Sequence, residues 1–319
     1  MKVLKNIRGL SWQDREHNTF IAALQRALEN VGEKHTYSYL MGLSGAAFRL
    51  QIHRDGLCPS GPDATCGFDS AGQVLQILRY PLHCLVASDG EKKIKSTVKA
   101  SINAGLPAIA VDLIKVPDWG LIVGYDEHDE YLVLTYYNEE KGRPKKAQKA
   151  PWIVYCLGER LGPTNQDEAE KTSLFLLRNL LENRSYGPYH TGQAGFEVWL
   201  ERLKNMSRFL AGTGEKRSEH LLGNYWNYVS LIDCRLAAKH YLREEIRFRR
   251  FENDALYGKL GSLFGEEAEL LSQYHIQPPF RDEGKSMLED GNLKRQRETL
   301  EGAAELEKKV LEFWDRLEI

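Results

Sequence analysis

The run Pro117-Asp118-Trp119-Gly120-Leu121-Ile122-Val123-Gly124-Tyr125-Asp126, followed by Tyr131-Leu132-Val133-Leu134-Thr135-Tyr136-Tyr137, decides how the first half of this chain reads. Leu121 to Val123 is a short apolar run, Gly124 closes it, and the charged segment Asp126 to Glu130 leads into a second β-rich run that ends at Asn138. Two such runs around a polar turn predict a hairpin or two successive strands. Upstream, residues 105–112 (Gly-Leu-Pro-Ala-Ile-Ala-Val-Asp) predict another strand, entered from a helix that stops at Gly105, because glycine is the usual residue just past a helix C-terminus.

Working outward, residues 18–32 carry apolar Phe20, Ala23, Leu24, Ala27, Leu28 and Val31 at helical spacing. Asn18 or Thr19 suits the N-cap and Gly32 the C-terminal stop. Short strands are expected at Pro81–Ala87, where Leu82, Cys84 and Val86 alternate and Cys84 reads as a small core residue, and at Trp152–Leu157. A helix is expected from Asp89 to about Ala104 between them. Residues 53–69 hold two Pro and three Gly and predict an irregular loop packed over a pocket. Beyond the linker at 158–168 every periodic segment is helical. The segments are Asp167–Glu182, Ala194–Leu210, Asn224–Arg250, Asn253–Tyr274 with a break near Gly261–Gly265, and Asn292–Leu317.

The chain therefore reads as α+β: an N-terminal domain over 1–158, with a helix packed on a small antiparallel sheet, and an α-helical domain over 159–319. A length of 319 residues suits two domains. A net charge of −2 gives no pull toward nucleic acid or an anionic membrane, and no apolar run approaches the ~20 residues that span a bilayer. The N-terminus lacks the apolar core of a signal peptide, so a cytoplasmic location is expected. Five scattered cysteines without a Cys-x-x-Cys pair fit reduced thiols rather than a disulfide framework. His53, Cys58, Asp63 and Cys66 share the irregular loop, but Cys-x7-Cys is not a structural zinc spacing, so neither metal nor cofactor is expected.

A helix, a glycine, a strand and then an apolar run ending in Gly124-Tyr125-Asp126 resembles the core of papain-like cysteine peptidases. The resemblance extends to bacterial leader-peptidase-like domains and, among those, to the butirosin-biosynthesis H-like N-terminal domain family. It spans roughly residues 15–157 and implies a papain-like fold for that part. In these families a nucleophilic Cys opens the first helix thirteen residues before its closing glycine, which falls on Thr19 here. Their His opens the strand that ends in Gly-Tyr-Asp, a place held here by Asp118 or Trp119, and their third triad member falls near Asn138.

The resemblance thus implies a triad of Thr19, Asp118 and Asn138 in which both reactive groups are replaced. A helix N-terminus lowers a thiol's pKa, whereas a hydroxyl there gains little and needs an adjacent base. Asp118 is a weak base unless burial raises its pKa, and Asn138 has no imidazole to orient. Peptidase chemistry is therefore not expected. The reading favoured is a pseudoenzyme that binds a small molecule, a peptide or an acyl group in the ancestral cleft, with Asn18, Cys66, Trp119 and Tyr125 lining it. The alternatives are an acyltransferase or thiol hydrolase on a non-standard constellation, acting on an acyl-carrier substrate with Cys66 as the thiol, and a protein-interaction module in the helical half. A homodimer is the possible assembly.

Overall fold

A computed structural model describes residues 1–206, 214–248 and 250–315. The expected helix ends at Leu210 and Leu317 lie outside the described residues. The protein is mixed α and β, with antiparallel sheets and a helical C-terminal region. It divides into two compact units, and the division is not the single cut expected near residue 158. The first unit comprises residues 1–40 and 71–165, and the second comprises 41–70 and 166–319. The irregular loop at 53–69 thus belongs with the C-terminal helices.

The first unit is built on a seven-stranded antiparallel sheet. Its strands are β1 (Lys2–Val3), β2 (Leu82–Val86), β3 (Ala108–Val111), β4 (Trp119–Tyr125), β5 (Tyr131–Leu134), β6 (Lys145–Lys146) and β7 (Ile153–Leu157). Their order is β2-β7-β3-β4-β5-β6, with β1 pairing the end of β4. Helices cover both faces: α1 (Thr19–Asn30) on one and α2 (Glu91–Asn103) on the other. Phe20 of α1 meets Trp119 edge-on at 5.0 Å, while Ile94, Val98 and Ile102 of α2 pack with Ile122, Ala108 and Val154. With both faces covered, the central strands are apolar on both sides, which is why Leu121-Ile122-Val123 is a continuous apolar run.

Two short strands, β1 and β6, are not expected from the sequence, because two-residue strands carry no periodicity. β1 explains Gly124: a Cβ there would lie 2.4 Å from the Lys2 carbonyl oxygen. β2 is an edge strand, and its expected facing is inverted. Leu85 is the buried residue, whereas Leu82, Cys84 and Val86 are exposed. His83 is exposed as well, so Leu85 is the one buried side chain of this edge strand.

The second unit holds α3 (Gln166–Glu182), α4 (Gly192–Lys204), α5 (Gly214–His240), α6 (Arg250–Ser272) and α7 (Asp290–Trp314). Helices α4 to α7 pack around one apolar core that includes Phe196, Trp199, Tyr228 and Leu271, and α3 packs against α4 and α7. A three-stranded sheet of Gln51–His53, Tyr189–Thr191 and Ser185–Tyr186 joins the 41–70 segment to them. α6 runs unbroken through Gly261 and Gly265. Gly261 serves close packing instead, since a Cβ there would come within 2.5 Å of the Arg243 side chain. The long helix expected from Asn224 ends its α-helical part at His240 and closes with a π turn over Tyr241–Glu245. Among the described residues no helix is long and apolar enough to cross a membrane.

Candidate functional site

The start of α1 and the start of β4 meet. Asn18 is the N-cap, its Oδ1 accepting the Ile21 N–H at 3.1 Å, and its own N–H donates to the Tyr37 hydroxyl at 2.9 Å. Thr19, one residue on, is the first helical residue rather than the cap. Its Oγ1 accepts the backbone N–H of Trp119 at 3.2 Å. The side chains of Thr19 and Asp118 are both half-buried.

Around this junction stands a group of aromatic and polar side chains that no motif in the sequence singles out. Tyr137 donates its hydroxyl to Asp118 Oδ2 at 2.7 Å. Burial and the Asp118 carboxylate raise the Tyr137 pKa, so the phenol stays protonated and keeps donating. Trp12 stacks on Tyr136 at 4.1 Å and meets Tyr137 edge-on at 6.2 Å. The Tyr136 hydroxyl donates to the Glu16 carbonyl at 3.1 Å, which fixes the segment before α1 against the end of the β5 hairpin. The His17 ring lies 6.1 Å from Trp12. Burial, then the nearby Arg15 charge, holds its imidazole down at about 4, so it is neutral at pH 7. The adjacent Tyr136-Tyr137 and the lone Trp12 in a polar stretch are the signals the sequence offers.

The remaining residues assigned to the site by resemblance lie elsewhere or are committed to other contacts. Trp119 is 2 % exposed and packs between Phe20 and Tyr155, so its indole is core and lines no cleft. Tyr125 is six residues along β4, about 20 Å at roughly 3.3 Å per residue. A bulge between Ile122 and Gly124 also turns it toward α2, where its hydroxyl donates to Asn103 Oδ1 at 2.9 Å and Lys99 sits over its ring.

The Asn138 side chain closes its own turn. Its Oδ1 accepts from the Thr135 N–H and hydroxyl, both at 2.8 Å, and its Nδ2 donates to the Val133 and Arg143 carbonyls. All four positions of the amide are filled, leaving none to orient a catalytic partner.

Cys66 belongs to the second unit. There Arg49 donates to the carbonyls of Pro62, Asp63 and Phe68 at 2.6, 2.9 and 2.9 Å, and Gln51 to those of Gly61 and Cys66 at 2.8 and 2.7 Å. The loop is thus folded inward around a buried guanidinium. Burial, then the Asp63 charge, raises the Cys66 thiol, the opposite of what an activated nucleophile requires. Among the described residues no group of three or more His, Cys, Asp or Glu is placed to hold a metal ion.

No model of a known protein family matches this chain, and no curated protein matches it.

Proposed function

We propose that residues 1–40 and 71–165 form a catalytically silent relative of the papain-like cysteine peptidases, of the leader-peptidase-like and butirosin-biosynthesis H-like kind, which binds a small molecule, a peptide or an acyl group where α1 meets β4. One observation carries the reading: Thr19 and the start of β4, the two places where a thiol and an imidazole would work together, are in hydrogen-bond contact at 3.2 Å. Neither side chain can do the chemistry. The Thr19 oxygen accepts an amide proton instead of facing a base, and the Trp119 indole is core. Asp118 is held by Tyr137. The half-buried Trp12, His17, Asp118 and Tyr137 leave an aromatic and polar surface suited to binding.

Turnover of an acyl thioester and of a peptide substrate, measured on the whole chain and on T19A, tests this. We expect no turnover above buffer in either. Turnover that disappears in T19A would make Thr19 a nucleophile and the chain an acyltransferase or hydrolase. In a parallel arm, T19C should react with iodoacetamide at least tenfold faster than an unperturbed thiol, since its sulfur would sit at the positive end of α1. A thiol introduced by T19C that reacts no faster than a surface one would remove the papain-like reading.

A further inference from the structure

In the second unit, α5, α6 and α7 converge on Arg235. Its Nε donates to Glu267 Oε1 of α6 at 2.8 Å, its Nη2 to Glu307 Oε1 of α7, and its Nη1 to the Ala47 carbonyl at 3.0 Å. The Phe264 ring lies 5.6 Å from the guanidinium. All three charged side chains have 0 % exposure. The second oxygens, Glu267 Oε2 and Glu307 Oε2, are also sealed from solvent and accept no hydrogen bond among the described residues.

The charge count of this cluster does not balance. Two carboxyls share one guanidinium, so full ionisation would leave a net negative charge in a dry core, with two carboxylate oxygens lacking a donor. Sealing an uncompensated charge costs several kcal/mol, and two carboxylates sharing a site push one another toward the protonated form. Protonating an ordinary glutamate at pH 7 costs only a factor of a few hundred in equilibrium constant.

Among the other ionisable groups on the surrounding elements, the Cys234 thiol feels the charges of Arg235 and Glu267, whereas Arg49, Glu170, Tyr241 and Lys239 are engaged away from the pair. Arg49 is held by the loop carbonyls, and Glu170 of α3 accepts from Gln166 and from the N–H groups of Arg247 and Phe248. Tyr241 bonds Ser173, and Lys239 reaches toward the exposed Glu269. Cys234 and Asp233 flank Arg235 on α5. The groups acting on Glu267 are Arg235 and Glu307, and on Glu307, Arg235. Burial is the leading cause of an upward shift in both carboxyls.

We propose that the Glu267–Glu307 pair stores one proton at neutral pH and acts as a pH-sensitive clamp on the α5–α6–α7 packing, which loosens when the proton leaves in mildly alkaline solution. The folded unit then binds one more proton than the unfolded chain between the ordinary glutamate range and mild alkali, so its stability falls as pH rises through that window.

Hydrogen exchange on the full chain, corrected for intrinsic rates and read at peptides covering 226–240, 260–272 and 300–312, tests the clamp. The protection constant of the wild type should fall by about tenfold per pH unit from pH 6 to 8 relative to E307Q and E267Q, one proton's worth of linkage. Wild-type and variant profiles that run parallel would overturn the proposal. Should both variants fail to fold, infrared spectroscopy of the wild type decides. A protonated-carboxyl band present at pH 6 and lost by pH 9 is expected, and its absence at pH 6 overturns the clamp.

Discussion

Thr19 Oγ1 accepts the Trp119 amide at 3.2 Å, tying the first turn of α1 to the first residue of β4 across one hundred residues of chain. The bond uses the hydroxyl as an acceptor, so serine can replace it and alanine cannot. T19A should lower stability by about 1–2 kcal/mol, the usual effect of removing one partner of a partly buried hydrogen bond. T19S should stay within about 0.5 kcal/mol of wild type. Urea unfolding followed by the fluorescence of the tryptophans checks both, and equal losses for the two variants would show that the methyl, not the oxygen, matters.

Asn138 gives a second, independent test of what the triad positions now do. With both amide donors bonded to carbonyls and its oxygen to two Thr135 donors, N138D keeps the acceptor and sets a second oxygen against the Val133 and Arg143 carbonyls. N138D should therefore destabilise as much as N138A, about 1–3 kcal/mol. A residue orienting a base would instead tolerate aspartate. Thermal denaturation of the two variants side by side separates the roles.

The two units should answer acidification with opposite signs. The His17 imidazole is held down at about 4, below its ordinary value of 6.5, so the unfolded state binds the extra proton. Its contribution to the first unit is present above pH 6.5 and is lost as pH falls toward 4, by an amount on the order of 3 kcal/mol at most. Burial pushes Glu267 well above its ordinary 4.5, so the second unit gains stability over the same fall. Asp126, held at about 2 by Lys146 and the Glu130 N–H, begins to lose its contribution only below its ordinary 3.8 and stays out of this window. From pH 7 to pH 5, peptides of α1 and β4 should lose exchange protection while peptides of α6 and α7 gain it. H17Q should abolish the first trend and leave the second.

Local pattern alone makes α1 and the longer strands β2, β3, β4, β5 and β7 legible in the sequence, while the two-residue β1 and β6 leave no pattern to read. Phe20, Ala23, Leu24, Ala27 and Leu28 at helical spacing mark α1, and Asn18 marks its cap. Gly105, at φ +88°, marks the end of α2. Long-range placement is not legible. That residues 41–70 leave the first unit depends on the pairing of Gln51–His53 with Tyr189–Thr191 and on Arg202, Asn227 and Arg235 reaching the Gly56, Cys58 and Ala47 carbonyls, contacts across well over a hundred residues that leave no periodicity in sequence. The resemblance sets Tyr125 at the wrong end and face, because a bulge shifts alternation by one residue without altering composition. The same resemblance points to Thr19 and the start of β4, which do meet. Trp12, His17 and Tyr137 carry no motif, and only the folded hairpin brings them to the junction.

Four of the five thiols offer a final test, because their surroundings rank them in an order that a relocated nucleophile would break. Cys84 lies exposed on the edge strand β2. Cys156 is pushed up to about 11 by burial among the α2-side core residues, and Cys234 to about 12 by burial beside Asp233. Cys66 is raised by burial and by the Asp63 carboxylate, only partly opposed by a hydrogen bond with Tyr189 and by Arg49. Iodoacetamide reacts with the thiolate, whose fraction falls tenfold for each unit that the pKa rises above the ambient pH. At pH 7.5 Cys84 should label first, and Cys156 and Cys234 should be slower by at least about a hundredfold in the native protein. Cys66 should fall between them. The site-resolved rates come from quenched digests read by mass spectrometry, with the urea-unfolded chain as the reference in which all five converge. Cys66 labelling ahead of Cys84 would mean an activated thiol in the 53–69 loop and would move the search for catalysis into the second unit.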